Sequence, residues 1–183
     1  MHEKRFNGDA ERLRSPERVK RLEVERVVEA CLSGGIKNVL DVGTGTGLFA
    51  EGFLHRGVAV SGVDASPDMV TAAKKHLPDT EIRVGTAEKL PFEDKSFDLV
   101  FLGLVFHETD DPAGAVAEAL RVARKRIAIL EWPFRTQEIG PPLVHRVNLK
   151  QMKILLDAIF TDPKRAFASH SFPDVVLYQV DLS

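Results

Sequence analysis

From about residue 36 onward, short apolar runs alternate with longer amphipathic ones. Val39-Leu40-Asp41-Val42 is nearly continuous in apolar character and predicts a buried strand. A glycine-rich turn follows, and then Leu48, Phe49, Phe53 and Leu54 recur at helical spacing. Residues 58–63 predict a second strand, and Ser66-Pro67-Asp68 opens a helix that runs to about His76, with Ser as cap and Pro in the first turn. Residues 81–84 and 97–102 predict a third and a fourth strand. A helix from Pro112 to about Ala123, a strand over 126–131 and a helix over 149–160 continue the alternation. Residues 166–171 and 175–180, separated by Phe172-Pro173-Asp174, read as an antiparallel pair. Ahead of all these, Ser15-Pro16 opens one amphipathic helix whose apolar face runs through Val19, Leu22, Val24, Val27, Val28, Ala30 and Leu32 to Gly34-Gly35. Such a helix either packs on a sheet edge or covers part of a site.

Strands alternating with helices make a parallel sheet covered on both faces, and right-handed crossovers leave few ways to arrange it. The expected fold is therefore α/β: a doubly wound, mostly parallel, seven-stranded Rossmann-like sheet with an antiparallel C-terminal strand pair. One domain over 1–183 is expected, with an N-terminal helical segment (1–35), a core (36–131) and a C-terminal loop, helix and strand pair (132–183). Ligands in such sheets bind beyond the carboxyl ends of the strands, where the strand order switches.

Composition narrows the function classes. With 183 residues, 44% hydrophobic and 28% charged, the chain is that of an ordinary globular protein. A net charge of −2 argues against a general nucleic-acid binder. Cys31 is the only cysteine, which excludes an internal disulfide, cysteine-based zinc sites and thiol clusters that grip arsenite. No metal site is expected. The charged start Met1-His2-Glu3-Lys4-Arg5 leads into no apolar segment, and residues 99–106 are too short to span a membrane. A cytoplasmic protein without a membrane span is the expectation.

Asp41-Val42-Gly43-Thr44-Gly45-Thr46-Gly47 stands between the first strand and its helix. Alternate glycines allow positive φ and close approach of a ligand, and a helix N-terminus behind them offers free N–H groups. A nicotinamide-dinucleotide site would need GxGxxG, but position 48 is Leu48. Asp41 would also repel a pyrophosphate, whereas it suits a ligand bearing an ammonium. Asp64 closes the second strand, about 20 residues beyond the first glycine, where a carboxylate can accept both hydroxyls of a ribose. The bland role for Asp64, capping the next helix, is already filled by Ser66.

These residues resemble the class I S-adenosylmethionine-dependent methyltransferases of the small-molecule type with a DxGxGxG loop. The likeness covers residues 36–131 and extends to Gly85-Thr86-Ala87-Glu88-Lys89-Leu90-Pro91-Phe92, Ser96-Phe97-Asp98-Leu99-Val100, Phe106-His107-Glu108 and Asp111-Pro112, in the family's order. The resemblance implies S-adenosyl-L-methionine as cofactor. Gly43, Thr44, Gly45 and Gly47 would wrap its methionine and ribose portion, and Asp41 would help hold the amino group. Asp64 would take the ribose hydroxyls, with Ala65 and Met69 against the adenine. Ala87 would meet the adenine edge, and Gly103 and Leu104 would pass beneath the sulfonium. Thr86 replaces the family's usual Asp, so the exocyclic amine falls to Glu88 or to a water. Glu108 replaces the second His of the family's LHH.

Displacement at a sulfonium needs a general base only if the acceptor arrives protonated. His107 and His145 are the candidates, each with a structural alternative as a cap or supporting residue and as an ordinary loop residue. Trp132 and Phe134 either line the acceptor pocket or belong to the core. The family's Asn/Asp-Pro-Pro-aromatic motif is missing after the fourth strand, which argues against DNA-adenine and glutamine acceptors. Little chain lies outside the core to hold a large substrate, so a small-molecule acceptor is expected. A cofactor-binding regulator or partner without turnover is the alternative, ahead of a nicotinamide-dependent oxidoreductase. The oligomeric state, monomer or homodimer, and the role of residues 140–146 stay open.

Overall fold

A computed structural model describes residues 10–160 and 166–182; the charged start at residues 1–5 lies outside them. The elements in chain order are α1 (Pro16–Leu22), α2 (Val24–Cys31), β1 (Asn38–Val42), α3 (Leu48–His55), β2 (Ala59–Asp64), α4 (Pro67–His76), β3 (Glu81–Val84), β4 (Phe97–Gly103), α5 (Pro112–Val122), β5 (Ala123–Glu131), α6 (Leu149–Ile159), β6 (Phe167–Ser171) and β7 (Val176–Asp181). Short 3₁₀ turns cover Ala10–Arg14, Phe106–Glu108 and Leu143–His145.

The strands form one seven-stranded sheet in the order β3-β2-β1-β4-β5-β7-β6. β3 through β5 pair in parallel, and β7 pairs antiparallel with both β5 and β6. The expected doubly wound fold with its antiparallel C-terminal pair is what the chain adopts. β1 sits between β2 and β4, so the strand order reverses beside it, and the cleft expected there opens at the carboxyl ends of β1, β2 and β4.

Two apolar layers explain the sheet. β4 and the parallel part of β5 are buried along both faces, as strands covered by helices on each side must be. α5 and α6 close one face through Val116, Ala119, Met152 and Leu156. The other face is closed by Leu22, Val27, Val28, Phe49 and Phe53 from α1, α2 and α3. Tyr178 is buried and stacks on Phe167, a packing role.

Two boundaries differ from the sequence reading. The first helix is broken at Glu23, whose φ of +46° is left-handed, and the halves on either side are α1 and α2. Helical periodicity runs through the break unaltered, because Leu22 and Val24 are both apolar and both buried. β5 also begins three residues early, directly after α5. Its polar start, Arg124-Lys125, resembles a loop, but both side chains reach the buried carboxylate of Asp98 at 2.9 and 3.3 Å. That ion cluster stands at the end of the sheet opposite the cleft.

Candidate active site

The glycine loop after β1 is fixed by hydrogen bonds before any ligand is considered. Gly43 N and Thr44 N both donate to Val63 O of β2, at 2.8 and 3.0 Å. Gly43, Gly45 and Gly47 all have positive φ, as expected. The reason for glycine differs along the loop, however. A Cβ on Gly43 would lie 2.5 Å from the Cβ of Val105, and one on Gly47 would lie 2.7 Å from Leu77. Neighbouring side chains, not a ligand, fill the space at these two positions. Gly45 is less crowded, with Leu13 at 3.4 Å and the Gly43 carbonyl at 4.0 Å. Arg14, next to Leu13, donates to Thr46 O at 2.9 Å and pairs with Glu51, which ties the N-terminal segment over the loop.

The cleft beside the loop has a volume of about 240 Å³. Asp41, Gly43, Thr44, Gly45, Asp64, Ala65, Met69, Thr86, Ala87, Glu88, Gly103 and Leu104, all proposed from the sequence, line it. Gly47 does not; it is the N-cap of α3 and packs against Leu77. Leu104 has a φ of +58°, an uncommon conformation for a side-chain-bearing residue and one held here by its N–H bond to Leu130 O at 2.9 Å.

Two carboxylates face this cleft without a basic partner among the described residues. Asp41 is 1% exposed and accepts the Thr44 hydroxyl at 2.7 Å. Burial pushes its carboxyl up to about 7, against the bonds from Thr44 and Ala50 that favour the charged form; the nearby charge of Asp64 adds to the rise. Asp64 accepts Gly45 N on one oxygen at 2.8 Å and Ser66 N on the other at 2.9 Å. Burial raises its carboxyl as well, and these two bonds oppose the rise. Ser66 caps α4 through Met69 N. One further group is unmatched: the buried hydroxyl of Thr46, on the cleft wall, has no partner among the described residues. Glu88 ties the far wall together by accepting Asp110 N at 3.0 Å.

Neither candidate histidine lines the cleft. His107 lies in the 3₁₀ turn after β4 with its ring turned to Glu131, a fully buried residue at the end of β5. Its Nδ1 is 2.9 and 3.0 Å from the two Glu131 oxygens, and its backbone N–H donates to one of them at 3.1 Å. On the other side Nε2 is 3.7 Å from Glu108, which does line the cleft. Burial by itself would lower the imidazole pKa, but the charge and hydrogen bond of Glu131, with the charge of Glu108, outweigh burial and the opposing Arg146; the net shift is upward. His145 is half-buried in its own 3₁₀ turn.

Sequence reasoning missed Glu131 and Arg146. The Arg146 guanidinium is buried and donates to the carbonyls of Pro133, Arg135, Ile139 and Pro141 and to the Gln137 side chain. The signal in the sequence was a lone charged residue closing a proline-rich loop. Trp132 is core, 3% exposed, whereas Phe134 is surface. Arg18 and Leu22 of α1 also line the cleft, so the N-terminal helix covers the site.

Residues 40–129 match the family model described as a methyltransferase domain. An uncharacterized methyltransferase of Mycobacterium tuberculosis is 35% identical over 115 residues, covering 62% of this chain and 46% of that protein. A demethylmenaquinone methyltransferase of Thermotoga maritima is 37% identical over 111 residues, covering 58% and 48%. The chain thus spans about half the length of the curated relatives it matches. A SAM-dependent methyltransferase from Aquifex aeolicus has the same fold, with a TM-score of 0.78 at 22% identity over 95% of this chain and 97% of the other. Residues 40–129 thus carry a methyltransferase domain, and the chain has the fold of that S-adenosylmethionine-dependent methyltransferase. Its own cleft fits S-adenosylmethionine: among the described residues its two acids have no basic partner, and a buried hydroxyl on the same wall has no hydrogen-bond partner.

Proposed function

We propose that the protein transfers a methyl group from S-adenosylmethionine to a small-molecule acceptor. The observation that carries this reading is the pair Asp41, buried, and Asp64, half-buried, which line one cleft with no basic side chain bonded to either among the described residues. Such a wall favours an ammonium-bearing nucleoside and repels the diphosphate of a nicotinamide cofactor. Bound there, the cofactor supplies an electrophilic methyl on a sulfonium. The protein's part is to orient: Asp41 holds the amino group, Asp64 the ribose, and the backbone at Gly103-Leu104 underlies the reacting end.

Titration with S-adenosylhomocysteine and with NADH tests the reading; tight binding of NADH alone overturns it. Asp64→Ala should weaken S-adenosylhomocysteine by about 1.5–3 kcal/mol, the range for hydrogen bonds to a charged group. An unchanged dissociation constant in calorimetry would mean that the ribose is read elsewhere. Labelled-methyl transfer across an acceptor panel separates an enzyme from a cofactor-binding partner without turnover. The T. maritima relative's name makes demethylmenaquinone the first compound in that panel.

For an acceptor that loses a proton, the route leads from the cleft to Glu108 and then to Nε2 of His107, with Glu131 as a positioning residue behind it. His145 has no part in this route. Because the folded-state pKa of His107 is raised, its contribution to stability is full below its unfolded value and fades as pH rises through the folded one. Glu131→Gln should therefore move the His107 titration, followed by NMR, to lower pH, and should cost more stability at pH 5.5 than at pH 9. A titration that does not move would remove Glu131 from the route.

A further inference from the structure

Arg18 lines the cleft from α1, yet its guanidinium has no hydrogen-bond acceptor among the described residues. It lies over the ring of Trp132, 5.9 Å from the centroid, and feels the charge of Glu108. Burial lowers its pKa, with Glu108 opposing, so the cation sits where an anion would be welcome. Its place, on the cleft wall, differs from that of the neighbouring Arg14. Arg14, one turn earlier in the chain, addresses Thr46 and Glu51 beside the glycine loop. Arg18 addresses residues that follow β4 and β5, whereas Asp41 and Asp64 lie at the ends of β1 and β2.

The segment at 140–146 accounts for how the cation is held. Gly140 has a φ of +85° and lies flat on the indole: a Cβ there would sit 2.7 Å from Cδ2 of Trp132. Arg146 gathers the carbonyls on either side of that contact. The strap therefore fixes Trp132, and Trp132 is the platform under Arg18. A planar guanidinium with unused donors matches a carboxylate in two-pronged fashion, which an ammonium cannot do.

We propose that Arg18 is the receptor for a carboxylate on the methyl acceptor, held in place by Trp132 and the 140–146 strap. This rests on the methyl-transfer reading and narrows it to acidic acceptors. The test uses the full chain loaded with S-adenosylhomocysteine and, as probes, benzoate, cinnamate and hexanoate, each against its amide, by ligand-detected NMR. The acids should bind and the amides should not. Arg18→Gln should weaken the acids by about tenfold or more, and Arg18→Lys by less, as expected for a charge-assisted bidentate pair. S-adenosylhomocysteine should bind Arg18→Gln within about twofold of the parent, which also shows that the variant folds. No preference for acid over amide, or equal binding of acids to Arg18→Gln, overturns the proposal. So does loss of S-adenosylhomocysteine affinity in Arg18→Gln with 5′-methylthioadenosine unaffected, because the carboxylate would then be the cofactor's own. Failure of the parent protein to bind S-adenosylhomocysteine refutes the underlying reading instead.

Discussion

S-adenosylhomocysteine should bind about 100-fold more weakly at pH 5 than at pH 8, following the titration of a single group near 7. The group is Asp41, whose carboxyl burial lifts from 3.8 to about 7. Below that value the free protein keeps a proton on Asp41, and a ligand ammonium must displace it. Binding at pH 6 should then release about one proton per ligand, measurable by calorimetry in buffers of different ionisation enthalpy; at pH 8.5 it should release almost none. Asp41→Asn should bind weakly at every pH and show no proton release. The stability of the free protein has the opposite dependence. Between about 4 and 7 the folded chain binds more protons than the unfolded chain at this position, so stability contributed by Asp41 falls as pH rises through that window. Thermal protection by the ligand should therefore grow with pH while the free protein weakens. A flat affinity from pH 5 to 8 would show that Asp41 does not face the cofactor's amino group.

How much of this was legible beforehand depended on where each residue finds its partners. The strands and helices were readable because their signals are local: Ser66-Pro67 opens α4, and the apolar run at 39–42 is β1. Asp41 and Asp64 were readable because both lie at strand ends beside a spaced glycine motif. Glu23 was not, because the helix breaks between two apolar residues that fit the same periodicity on either side. Glu131 was hidden by its position, the last residue of an apolar strand, where only the fold reveals that His107 lies across from it. His107 could be flagged from its residue type, but the direction of its ring depends on that same partner. Gly47 was assigned to ligand contact by its motif, although Leu77, thirty residues on, is what occupies its Cβ space. For Glu131, His107 and Gly47 a partner distant in sequence decided the outcome.

Arg146 carries a large expected structural effect for a side chain outside the sheet. Its guanidinium is 4% exposed as a residue and serves five acceptors, four of them backbone carbonyls of one loop. Replacing it with Met keeps much of the buried stem but leaves those acceptors without donors. Water can reach some of them, so the loss is less than a full count of bonds; about 3 kcal/mol is the expected cost. For a chain of this size that corresponds to a fall in Tm of roughly 6–12 °C. Arg146→Lys should recover only part of it, because an ammonium cannot span carbonyls spread from Pro133 to Pro141. The second consequence is functional: with the strap loosened, Trp132 loses the cover of Gly140, and Glu131 loses the cation that stands beside it. Acid binding at Arg18 should weaken in Arg146→Met while S-adenosylhomocysteine binding at Asp41 and Asp64 stays near that of the parent, because those residues belong to β1 and β2. A Tm within about 2 °C of the parent, below what a 1 kcal/mol change would give, would show that the loop holds its shape without the guanidinium.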